Sequence, residues 1–159
     1  MIPEANRAYI DECGINEVLM REYGYAPRGK RVEDTKRGRK FHRLNIVGGL
    51  FRGRVVAPHC YEHSTKGVFF EWWFETQFLP NIPRGTVVFL DNASFHRRVQ
   101  LFALAVCAGV FLVFLPAYSP DYNGVEKWWA NMKKALVDLA PKCATLQEAV
   151  YTYFATSNC

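Results

Sequence analysis

The 159-residue chain has no Cys-x-x-Cys pair, no internal repeat, no low-complexity tract and no obvious domain linker. Its five cysteines (Cys13, Cys60, Cys107, Cys143, Cys159) are odd in number and far apart. That excludes a disulfide framework and points to free thiols in a reducing compartment. The opening MIPEANRAY has neither a basic region nor an apolar core, so no secretory signal is read there. Half of the residues are apolar and 22% are charged, which excludes a disordered chain. With no repeat or linker, this length builds one domain with a substantial core.

Charge is also missing from residues 101–118, LFALAVCAGVFLVFLPAY, a run of 18 that just reaches the length of a membrane span. Gly109 divides it into an alanine- and leucine-rich half and a β-branched, aromatic half stopped by Pro116. A buried helix, a glycine turn and a strand buried on both faces fit better, so no membrane partner is expected.

Net charge is +5, unevenly spread. From Arg21 to Arg43, nine Lys and Arg stand against three acids, a local charge of +6 that leaves the remainder at −1. Arg28, Lys30, Arg31, Lys36, Arg37, Arg39, Lys40 and Arg43 suit sequence-independent phosphate contact, although a solvated loop would look the same. Arg97 and Arg98 are expected in the first turn of a helix, where the dipole disfavours cations. Either a nearby anion, DNA phosphate or Asp91, accounts for them, or they are simply exposed.

Strands are expected over residues 7–15, 41–51 and 54–61, with Arg52-Gly53 as the turn between the last two. A polar stretch to about residue 39 reads as a long loop. Ser64 and Thr65 are placed to cap a helix to about Leu79, in which Phe70, Trp73, Phe74 and Phe78 fall at helical spacing. A strand (86–90), a helix (97–108), a strand (110–115) and a helix (124–140, with Asn123 as N-cap) follow. Thr145, with Glu148 three residues on, caps a last helix. Hairpin strands first and helix-linked strands later predict an α/β fold, a five-stranded mixed sheet with helices on both faces. Its site lies outside the carboxyl ends of the parallel strands.

Three acids occupy such places. Asp91 stands where an apolar strand stops, and Asp11 lies within or at the end of the first strand. Glu126 falls at about the third position of its helix, flanking the stripe Val125, Trp128, Trp129, Met132, Leu136 and Leu139. Brought together, carboxylates repel unless they share a cation. Magnesium takes oxygen ligands and keeps waters for a substrate to displace, and two ions about 4 Å apart clamp both oxygens of a phosphodiester displacement. Singly, each acid has an ordinary reading: Asp91 as a turn residue, Glu126 as a partner of the helix dipole, Asp11 as surface charge. Asn92 and His96 follow Asp91 closely enough to border its site, and His96 equally suits a structural role at a helix start. His59, Cys60 and His63 are too few for a closed zinc site. Trp72, Trp73, Trp128 and Trp129 read as core.

LDNASFH (residues 90–96) and LPAYSPDYNGVEKWW (115–129) closely resemble two blocks of the insertion-sequence branch of the mariner-type transposases. YIDECGI (9–15) is similar to the block with the first acid, and YGYAPRG (23–29) to the segment after it. The 34 residues between Asp91 and Glu126 match the spacing in that superfamily. The resemblance implies a ribonuclease H-like fold and an Asp-Asp-Glu triad of Asp11, Asp91 and Glu126 holding two Mg2+ or Mn2+ ions. It implies hydrolysis at transposon ends, then strand transfer by the freed 3′-hydroxyl. The implied partners are double-stranded DNA, both transposon ends and target, and a second copy in a homodimer. The implied location is the bacterial cytoplasm, at the nucleoid. Asp121 is the rival third acid. Two departures stand out. Gly124 replaces the family's usual proline, which predicts a softer placement of Glu126. The chain also begins almost at the first catalytic strand, without the helix-turn-helix region of relatives. Two alternatives stay open: a truncated, non-catalytic DNA-binding or dimerisation module, and a nuclease of the same fold.

Overall fold

The computed structural model describes residues 3–16, 43–116 and 124–157. Strands β1 (Arg7–Asn16), β2 (Arg43–Phe51) and β3 (Arg54–Tyr61) form an antiparallel meander. Positive φ at Arg52 (51°) and Gly53 (74°) gives the β2–β3 turn the hand that follows strand twist. β4 (Val87–Leu90) pairs in parallel with β1, and β5 (Phe111–Phe114) in parallel with β4. The sheet order is β3-β2-β1-β4-β5, the mixed five-stranded sheet that the sequence predicts.

Alternation along β1 divides its side chains between two layers. Ala8 and Ile10 enter a core with α1 (Gly67–Trp73) and α2 (Arg98–Ala108), whereas Cys13 and Ile15 enter a second core with α3 (Glu126–Leu139) and α4 (Leu146–Ser157). The adjacent glycines of β2 let one aromatic approach on each face. A Cβ on Gly49 would lie 2.2 Å from the Phe78 ring, and one on Gly48 would lie 3.1 Å from the Trp129 indole. Gly49→Ala is therefore expected to cost about 1–3 kcal/mol by overpacking. The expected readout is a lower urea midpoint at unchanged slope.

α1 continues into a π-helical turn (Phe74–Phe78) and a 3-10 turn (Leu79–Asn81). That path buries Phe70, Trp73, Phe74 and Phe78 completely. Ser64 and Thr65 do not cap the helix: Lys66 holds that position without a side-chain bond, and the Thr65 hydroxyl is taken by Tyr61 at 2.6 Å. Thr145 does act as a cap, its hydroxyl accepting from Glu148 N–H at 3.1 Å. Trp73 and Trp129 are core, but Trp72 is 44% exposed beside His59 and Phe69.

Gly109 closes α2 in the left-handed region, as the sequence requires. The strand after it is not buried on both faces. β5 is the sheet edge, and α3 and α4 cover only β1 to β3. Phe111 (64%) and Val113 (37%) therefore face outward. Among the described residues no helix is long and apolar enough to cross a membrane. α3 begins at Glu126 with Val125 as N-cap, so Glu126 is the first helical residue and not the third; Asn123 lies outside the described residues.

Candidate active site

The parallel register pairs Tyr9 with Phe89. Continued two residues, it sets Asp11 beside Asp91, just past the carboxyl end of β4. Asp11 faces α3, and the Trp129 indole donates to its Oδ2 at 3.0 Å. Gly48, the partner of Asp11 across β2, leaves the space that this indole fills. Burial drives the Asp11 carboxyl from 3.8 up to about 7. The Glu12 N–H and the indole oppose that rise, while the neighbouring Glu12 and Asp91 carboxylates add to it.

An open cleft of about 450 Å³ is lined by both Asp11 and Glu126, with Arg43 and Lys133 at the same opening. Glu126, Ala130 and Lys133 follow at i, i+4 and i+7, one face of α3. Lys133 is absent from the sequence reading, although its helical spacing from Glu126 marks it. Arg43 and Lys133 also lie near Cys13, whose thiol is pushed up by burial and partly restored by Lys133.

Asp91 is exposed, and its Oδ1 accepts from Ala93 N–H at 3.2 Å, so the turn role and the site position coincide. Glu12, on the opposite face of β1 from Asp11, approaches Asp91 and the buried His96. Among the described residues these three form the group able to converge on a cation, with ligand atoms within 4.8 Å of one another. The Glu12 carboxyl is raised by burial and lowered by His96. The structure thus places Asp11 with Glu126 on one cleft and Asp91 with His96 beside it, with Glu12 common to both sets and the Asp91 carboxylate adding to the rise at Asp11. The sequence reading missed Glu12, because strand alternation sends it to the other face from Asp11.

Other sequence candidates divide. The anion that faces Arg97 is Glu71, through a two-pronged ion pair, not Asp91. Arg97 is the N-cap residue of α2, outside its first turn, and Arg98 lies over the Phe114 ring at 4.4 Å. Asn92 is exposed. Arg28, Lys30, Arg31, Lys36, Arg37, Arg39, Lys40 and Asp121 lie outside the described residues. His59 and His63 pack against Phe69 while Cys60 enters the α3–α4 core, so the three do not converge on zinc.

A sheet ordered β3-β2-β1-β4-β5, with acids from β1, the end of β4 and the start of α3, defines a ribonuclease H-like domain. The chain belongs to the DDE superfamily endonuclease family, whose model matches residues 6–147. Its fold is similar to that of the Mos1 strand transfer complex, with a TM-score of 0.68 at 18% identity over 83% of this chain and 41% of that one. The Mos1 mariner paired end complex with Mn gives 0.65 at 17% identity, over 83% and 42%. A simian T-cell lymphotropic virus intasome in complex with PP2A regulatory subunit B56 gamma gives 0.58 at 14%, over 93% and 48%. At these identities the likeness is one of fold, and this chain spans less than half the length of those three. No curated protein matches it.

Proposed function

We propose that this chain is the catalytic domain of a cut-and-paste DNA transposase, with Asp11, Asp91 and Glu126 holding two Mg2+ or Mn2+ ions. One observation carries the reading. Asp11 is a largely buried carboxyl raised to about 7, set against a second acid and sharing a cleft with a third. Such a set is relieved by cations, and its all-oxygen donors fit magnesium or manganese. When bound, the ions supply a clamp on the attacking and leaving oxygens of a phosphodiester. The chain's own residues prepare the place. Trp129 orients Asp11, the turn at Ala93 sets Asp91, and Glu126 closes the cleft from the helix end. Arg43 and Lys133 would hold the DNA backbone at the cleft mouth. Hydrolysis at the transposon end frees a 3′-hydroxyl, which then attacks target DNA. Double-stranded DNA is the partner, and two copies would pair the two ends, at the nucleoid of a bacterial cell.

The test is manganese-dependent nicking and strand transfer on double-stranded DNA, measured with the chain. Full activity in an Asp91→Asn, Glu126→Gln double variant would end this reading. Lys133→Ala is expected to weaken DNA binding across all sequences and to lower the salt slope of binding by about 1. Fluorescence titration at several salt concentrations reads both effects.

A further inference from the structure

His96 carries an inference that rests on the reading of Asp91 as a metal ligand and extends it. Its ring is buried against Phe70 and Phe95, with centroids 4.3 and 4.4 Å away. A polar ring in such a setting is normally held through its nitrogens. Nδ1 lies 3.2 Å from the main-chain oxygen of Asp91 and 3.3 Å from its Oδ1. Both are acceptors, so Nδ1 carries the proton and donates. Nε2 stands 3.6 Å from Glu12 Oε1, beyond hydrogen-bond reach, and both atoms are buried without a hydrogen-bond partner.

The place of this contact matters. The last sheet bond on β4 runs from Leu115 N–H to the Leu90 oxygen at 2.8 Å. One residue on, the Asp91 oxygen meets the His96 ring instead of a neighbouring strand. The Asp91 carboxylate is exposed, and its Oδ1 is engaged by Ala93 N–H and approached by His96, which leaves Oδ2 for a ligand role. Glu12 stands behind the ring on β1, the rigid central strand. We propose that His96, backed by Glu12, is a positioning residue that fixes the main chain and carboxylate of Asp91 for metal binding. It acts as an outer partner that orients a ligand.

Manganese titration of the whole chain, followed by the paramagnetic resonance of free Mn2+, separates positioning from packing when paired with melting in chelator. His96→Phe keeps the ring and loses the donor; His96→Asn keeps a donor near the place of Nδ1 and loses the ring. Mn2+ affinity is expected to fall about tenfold in His96→Phe and to stay within about threefold of the parent in His96→Asn. The melting temperatures should rank the other way. Parental affinity in His96→Phe overturns the role, and so does an equal loss in both variants. Loss of one whole Mn2+ equivalent in His96→Phe, with the other at parental affinity, would make His96 a ligand and also overturns positioning. A parent chain that takes up no Mn2+, or an Asp91→Asn variant that binds like the parent, sinks the metal site itself.

Discussion

Asp11→Asn is expected to stabilise the metal-free protein by about 2 kcal/mol near pH 8 while abolishing metal-dependent DNA cleavage. The folded carboxyl ionises near 7 against 3.8 for the free side chain, chiefly because it is buried. Each pH unit of such a shift is worth about 1.4 kcal/mol, so the whole is about 4, here halved for partial exposure. The sign follows from proton counting. Between pH 3.8 and about 7 the folded state holds a proton that the unfolded chain has released. Stability from this group is therefore greatest below 3.8 and is lost as pH rises through about 7. The Asn variant should lack that slope, and Mn2+ should raise the melting temperature of the parent alone. Melting at pH 5 and pH 8, with manganese or with chelator, reads all of this. A parent with no excess pH dependence over the variant would mean that Asp11 is not under electrostatic stress.

Much of this architecture could be read from local pattern. The Arg52-Gly53 turn, Gly109 after an apolar helix, and Thr145 with Glu148 mark boundaries by backbone chemistry alone, and all three hold. What escaped depends on which layer covers which strand. β5 reads as doubly buried because its run is apolar, yet none of the described helices covers its outer face. Thr65 is lost to Tyr61 as a cap, a partner on another element that local spacing does not reveal. The same limit applied at the site. Strand alternation separates Asp11 from Glu12, but only the folded chain shows that His96 meets Glu12 while Trp129 meets Asp11. Arg97 likewise invited an anion, and the anion proved to be Glu71 on α1.

Glu126→Gln should separate catalysis from folding in the opposite way to Asp11→Asn. Glu126 is exposed at the first position of α3. Gln keeps its length and helix preference and removes one favourable charge at the helix start, a cost of about 0.3–1 kcal/mol. Stability should therefore fall slightly. Cleavage should fall by more than about a hundredfold, beyond the cost of losing a merely supporting group. Nicking rates in manganese, set beside urea midpoints for both variants, give the comparison. Loss of cleavage with a gain in stability at Asp11 and a slight loss at Glu126 is the signature of one cation site built from a buried and an exposed acid. Cleavage that survives Glu126→Gln and disappears in Asp121→Asn would move the third ligand role to Asp121 and leave Glu126 as a partner of the helix dipole.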